Sequence, residues 1–195
     1  MPQNEKLMNI TSTAAEYIER LLLEKERVIT AIDGRCASGK TTVASILEKK
    51  LSCNIIHMDD FFLRPGQRTE KRLSEPGGNI DYERFEPEVL IPLKQGRKFC
   101  YRPYDCKSQT LKEPVKAAPQ KITIIEGSYS CHPALIDYFD LRIFMTISAE
   151  TQRNRILSRN AELAKRFFEL WIPLEEAYFS AFRIEEKCEI VLRND

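Results

Sequence analysis

Residues 28–41 constrain this chain more tightly than any other stretch. Val28-Ile29-Thr30-Ala31-Ile32 is a short, largely β-branched run ending at Asp33-Gly34, and Gly34-Arg35-Cys36-Ala37-Ser38-Gly39-Lys40-Thr41 fits G-x-x-x-x-G-K-[ST] at every defined position. From Gly39 onward Val43, Ile46, Leu47 and Leu51 recur at helical spacing. A strand feeding a glycine turn and then a helix lets successive N–H groups converge on one point, where the helix adds the positive end of its dipole. This predicts an anion site for the phosphates of a nucleotide, with Gly34 and Gly39 giving the backbone its room. Lys40 is expected to reach the β- and γ-phosphates and the Thr41 hydroxyl to be a Mg2+ ligand. Arg35, Cys36, Ala37, Ser38 and Thr42 complete the expected phosphate-binding set. Asp33 is read as a strand-end turn residue in preference to a charge in the site.

The same alternation runs through the chain. Thr13-x-x-Glu16 is a capping-box pattern ahead of a helix carrying Ala14, Ile18, Leu21 and Leu22. Cys53 to Met58, Ile122 to Ile125 and Leu141 to Ile147 are further apolar runs, ending in Asp59-Asp60, Glu126-Gly127 and Ser148. Continuous apolar strands alternating with helices predict an α/β fold of three layers, a mostly parallel sheet with helices on both faces. Between them, Phe61 to Gly78 is turn-rich and charged and reads as a mobile surface loop; Pro87 to Gln95 reads as a short helix interrupted at Pro92 and ended by Gly96. No repeat or Gly/Ser linker divides the 195 residues, so one domain is expected.

Thirty Lys+Arg against 29 Asp+Glu leave a net charge of +1, which argues against a nucleic-acid or membrane surface and makes any anion binding local. The six cysteines are scattered, with no C-x-x-C pair, and no apolar stretch approaches the ~18 residues of a membrane span. A cytoplasmic, reduced protein is expected, free of zinc and disulfide frameworks.

A phosphate loop does not say what receives the phosphoryl group. Asp59 and Asp60 stand at the C-terminal end of a strand, where open α/β sheets build their sites, and a carboxylate there can take a proton from an attacking hydroxyl. His57, inside the strand, reads as a packing residue.

At this point the sequence resembles the uridine kinase and phosphoribulokinase-like group of P-loop kinases. The motifs that carry the resemblance are residues 33–42, Met-Asp-Asp-Phe-Phe (58–62), Asn-Ile-Asp-Tyr (79–82), Tyr-Asp (104–105) and Ile-Ile-Glu-Gly (124–127), in that order, within about residues 28–179. The resemblance implies an ATP- and Mg2+-dependent phosphotransferase, with an acceptor-binding insertion over about 61–118 and a lid over about 150–172. It implies Asp59 as the general base, Asp81 holding sugar hydroxyls, Phe62 and Tyr104 packing around the acceptor, and Glu126 beside the metal with Thr41. The expected acceptor is a small hydroxyl-bearing metabolite, a nucleoside or related riboside leading; neither nucleic acid nor membrane is an expected partner, and a homo-oligomer is left open.

Ser148 can cap a helix on which Arg155, Arg159, Glu162 and Arg166 share a face. Taken alone, such a face is a solvated one; the resemblance makes Arg155 and Arg159 lid arginines that act on the transferring phosphoryl group. The chain departs from uridine kinases at Asn160-Ala161-Glu162-Leu163-Ala164-Lys165-Arg166, in the Trp171-to-Phe179 segment, where Trp171 and Phe179 read as core, and at Cys106, where an aromatic is expected. A nucleotide-dependent switch without a small acceptor is the other reading, although no Asn-Lys-x-Asp signature for guanine occurs.

Overall fold

Strand β1 (Val28–Gly34) is buried along its whole length at the middle of a parallel sheet. The computed structural model describes residues 3–159 and 161–195; Met1, Pro2 and Asn160 lie outside the described residues. Along the chain follow β2 (Asn54–His57), β3 (Phe99–Tyr101), β4 (Tyr104–Asp105), β5 (Thr110–Leu111), β6 (Val115–Ala117), β7 (Ile122–Glu126), β8 (Leu141–Thr146) and β9 (Ile190–Arg193). Five of them form the central sheet in the order β2-β7-β1-β8-β9, every neighbouring pair parallel. The remaining four make two antiparallel ribbons, β3 with β6 and β4 with β5.

Helices cover both faces, as the unbroken apolar strands require. They are α1 (Gln3–Leu21), α2 (Lys40–Leu51), α3 (Glu70–Ser74), α4 (Tyr82–Phe85), α5 (Ile91–Lys94), α6 (Ala149–Arg159), α7 (Ala161–Arg166) and α8 (Ile172–Phe182). The period-two alternation of β1 divides the core: Val28 and Ile32 pack with Ile18 of α1 and Leu47 of α2, whereas Ile29 and Ala31 face Phe61, Phe85, Leu90 and Tyr178.

Several expectations are corrected. The first helix starts ten residues before Thr13, whose hydroxyl donates to the Asn9 carbonyl one turn back (3.0 Å) and caps nothing. The helix expected over 87–95 belongs to a longer run in which α4 passes through a π-helical segment, Glu86–Leu90, into α5. That segment takes in Pro87, the run continues past Pro92, and Gly96 ends it at φ +65°. Phe61 to Gly78 is anchored: Phe61 and Leu63 are buried, and Arg72 of α3 donates to the carbonyls of Gly78 (2.8 Å) and Ile80 (2.9 Å) and to the Tyr82 hydroxyl (2.9 Å). Edge strand β9, with Val191 and Arg193 exposed, carries too weak an apolar signal to stand out in the sequence.

Because the sheet is parallel, the C-terminal ends of β1, β2, β7 and β8 share one edge. Its register sets Glu126 beside both Ile32 and His57, and Gly34 beside Met145. Every strand-end motif singled out in the sequence therefore meets at this edge.

Candidate active site

The phosphate loop has the backbone its motif demands. Gly34 (φ +126°) and Gly39 (φ +98°) are left-handed, and Ala37 joins them at φ +60°. At Gly34 a Cβ would stand 2.0 Å from the Met145 carbonyl oxygen, so only glycine lets the loop leave β1 against β8. Lys40, nearly buried, donates to the carbonyls of Gly34 (2.6 Å) and Arg35 (2.9 Å), which sets its ammonium inside the loop. Ser38 is buried, whereas Thr41 and Thr42, on the first turn of α2, are exposed.

Asp33 is no simple turn residue. Fully buried, it accepts from the amides of Gly34 (2.6 Å), Tyr129 (3.0 Å) and Cys131 (2.9 Å) and from the Tyr178 hydroxyl (2.9 Å). Burial raises its pKa to about 6, against the Cys131 and Gly34 amides and the Lys40 charge, which hold it down. With four donors aimed at two oxygens, the ionised carboxylate is the form that satisfies the site at neutral pH.

Thr41 and Glu126, which the resemblance implied as neighbours of the metal, lie side by side: the Thr41 hydroxyl is 3.2 Å from both carboxylate oxygens of Glu126, which is itself buried. A hydroxyl and a carboxylate side by side are hard oxygen donors of the kind Mg2+ takes, in a site where water and phosphate supply most of the coordination. The residues present fit that ion.

His57 is corrected from packing residue to partner. Its Nδ1 stands 2.6 Å from Glu126 Oε1, and this bond raises its pKa while partial burial opposes the rise. The parallel register that places the two residues side by side is invisible in the sequence.

Asp59 lies on the 3-10 turn Met58–Phe61 that follows β2. Its carboxyl is close to Gly127, where a Cβ would come within 3.4 Å of Oδ1. Crowding by protein raises the pKa to about 6, with the Glu126 charge adding to the rise and Lys40 and His57 opposing it. The side chain nonetheless opens to water. Asp60 is raised less, again by desolvation first, and its carbonyl is held by Arg84 Nη2 (3.0 Å).

Asp81 is buried at the start of α4. Its Oδ2 faces Arg84 Nε at 3.4 Å and Arg64 Nη2 at 3.7 Å, and has no hydrogen bond among the described residues. Phe62 bridges to Ile80 beside it, and Tyr104, buried, accepts from Arg68 Nη2 (3.2 Å). The α4 turn and the β4 ribbon thus place Asp81, Phe62 and Tyr104 around the segment that follows Asp59.

On the lid side, Ser148 caps α6 as expected, accepting from the Thr151 amide (3.3 Å). Arg155 donates to the carbonyls of Ala37 (3.1 Å) and Asn194 (2.8 Å), with burial holding its pKa below the usual value. Arg159 is exposed at the end of α6. Arg153 and Arg166 lie over the rings of Phe168 (4.9 Å) and Trp171 (5.2 Å). Phe179 is buried as core; Trp171 is only half-buried.

The sequence reading missed the back of the loop altogether. Glu175 accepts from the Cys36 amide (2.9 Å), Glu176 pairs with Arg35 (2.7 Å), and the Asn194 side chain donates to the Ser38 carbonyl (2.7 Å). Two adjacent glutamates on an amphipathic helix look like a solvated face, and nothing local signals their partner.

With this geometry in place, comparison with known proteins is decisive for kinship. The family model for the Phosphoribulokinase / Uridine kinase family matches residues 29–166. This chain belongs to that family. It is a small-molecule P-loop kinase. Among its relatives, a uridine kinase of Mycoplasma pneumoniae is 24% identical over 193 residues, 86% of this chain and 85% of that protein. Human nicotinamide riboside kinase 2 is 28% identical over 144 residues, covering 69% of this chain and 58% of the relative. Uridine kinase-like protein 4 of Arabidopsis thaliana is 26% identical over 159 residues, 77% of this chain but only 32% of the relative's length. The fold is that of a possible uridine kinase from Bacillus stearothermophilus (TM-score 0.70, 20% identity, 98% of this chain and 100% of that one). It is also that of a phosphoribulokinase from Rhodobacter (TM-score 0.59, 11% identity, 86% and 70%). Among the described residues no helix is long and apolar enough to cross a membrane.

Proposed function

We propose that this kinase transfers the γ-phosphoryl group of ATP to a hydroxyl of a nucleoside or related riboside. One observation carries the reading: a parallel sheet edge joins a phosphate loop, a solvent-exposed carboxylate at Asp59 and, beyond it, the buried Asp81 with an oxygen that lacks a hydrogen bond among the described residues. A buried acceptor of that kind is expensive to leave unmatched, and a sugar hydroxyl is the donor that completes it.

In this reading the amides of Ala37 and of residues 39–42 and the Lys40 ammonium bind the phosphates, while the amides of Gly34, Arg35, Cys36 and Ser38 are taken by Asp33, Met145, Glu175 and the Arg35 carbonyl. Thr41 and Glu126 hold Mg2+, which supplies charge neutralisation on the phosphate oxygens. Asp59 orients the acceptor hydroxyl and takes its proton at a carboxylate oxygen, Asp81 fixes the sugar, and Phe62 and Tyr104 wall the acceptor. Arg155 supports the loop through the Ala37 carbonyl, leaving Arg159 as the lid arginine free to approach the triphosphate. The relatives named for uridine and nicotinamide riboside support a riboside acceptor.

The test is ADP release measured over a panel of nucleosides, ribosides and pentose phosphates. A riboside should stimulate turnover, and Asp59→Asn should lose about 10²–10⁴-fold of it, the usual worth of a general base. Full activity in Asp59→Asn would remove Asp59 from its role.

A further inference from the structure

The strand edge accounts for the front of the phosphate loop; its back is held by α8. Glu175, buried, takes the Cys36 amide on Oε2 (2.9 Å) and the Ser128 hydroxyl on Oε1 (2.6 Å). Glu176 forks onto Arg35 (Nε to Oε1 2.7 Å, Nη2 to Oε2 3.0 Å), and Tyr178, one turn along from Glu175, donates to Asp33. Three residues in and next to the loop, Asp33, Arg35 and Cys36, are thus each tied to this helix, which continues from the lid through the π-helical turn Phe167–Trp171.

A buried carboxylate is costly to desolvate, and the Cys36 amide and Ser128 hydroxyl offset part of that cost. Glu175 also adds repulsion to the anionic form of Asp59, a cost that a neutral acceptor would avoid. What the carboxylate supplies is geometry. A two-oxygen acceptor, fixed on one side by Ser128, can set where the Cys36 amide points, and with it the curvature of the following residues whose amides face the phosphates.

We propose that Glu175 is a positioning residue for phosphoryl transfer: held by Ser128, it fixes the phosphate loop through the Cys36 amide and couples the loop to the helix that follows the lid. The assignment rests on the kinase reading above.

The test is binding of Mg-ATP by titration calorimetry to wild type, Glu175→Gln, Glu175→Ala and Ser128→Ala, with the thermal midpoint of each recorded. Gln keeps the accepting oxygen and should bind ATP within about threefold of wild type; Ala should weaken binding about tenfold, the worth of one hydrogen bond to the loop. In turnover, Ala should raise KM for ATP and leave KM for the acceptor unchanged, a split that general loss of stability would not give. Should Glu175→Ala fail to fold, Ser128→Ala carries the test: with its thermal midpoint kept, it should weaken ATP binding in wild type and by about as much in Glu175→Gln, where the accepting oxygen is still present. ATP affinity unchanged in Glu175→Ala, equal losses in Ala and Gln, or ATP affinity unchanged in Ser128→Ala would each overturn the assignment. A wild-type chain that binds no ATP would instead defeat the kinase reading, and the assignment with it.

Discussion

Asp33 gathers donors from β1, from the segment after β7 and from α8, so a single side chain ties the root of the phosphate loop to two other parts of the fold. Asp33→Asn presents an NH2 group where an acceptor is needed and leaves at least one buried N–H unpaired. It should lower unfolding free energy by about 2–3 kcal/mol in urea denaturation, and an unchanged midpoint would show that the four contacts contribute little. Asp59 makes a pH prediction. With its pKa raised to about 6, the base form fills as pH rises, so acceptor phosphorylation should climb through that region and flatten above it; in Asp59→Asn the acid limb should vanish from the residual rate. His57 works in the opposite sense. Its pKa is raised in the fold, so its pairing with Glu126 stabilises fully below the ordinary value of 6.5 and is lost as pH rises through the higher folded value. His57→Gln should therefore depress the thermal midpoint more at about pH 6 than at about pH 9, and an equal effect at both would show the pair to be uncharged throughout.

Among the elements, the strands and the helix after the phosphate loop were legible because continuous apolar runs and a glycine-bounded anion turn have few other uses. The positions of carboxylates at strand ends followed from the same logic, whereas the place of Glu126 beside Thr41 was implied only by the resemblance. Contacts made across the sheet were illegible. His57 finds Glu126 only through the β2–β7 register, and Glu175 and Glu176 find the loop only through the packing of α8. The π-helical segment Glu86–Leu90 was hidden because Pro87 reads locally as the first turn of a helix and Pro92 as its interruption. Arg84, at the end of that first turn, holds the carbonyls of Asp60 and Arg102 and lies over the Phe61 ring at 4.2 Å. Arg84→Ala should release the turn that carries Asp59, raising amide exchange over residues 58–62 and 100–104 while leaving β1 protected. Equal exchange in both proteins would mean that the Phe61 packing alone holds the turn.

At the scale of the whole molecule, a chain of net charge +1 concentrates its anion affinity at one sheet edge. In the proposed function, the acceptor segment closes that edge on one side and the lid and α8 on the other. The proposed function requires that phosphoryl leave ATP for a hydroxyl of a riboside and not for water. The direct measurement is 31P NMR of the protein with ATP, Mg2+ and a nucleoside. One new phosphomonoester signal should grow in step with ADP, with little inorganic phosphate and with no growth in Asp59→Asn. Growth of ADP and inorganic phosphate alone, at the same rate with and without every riboside tried, would contradict the claim.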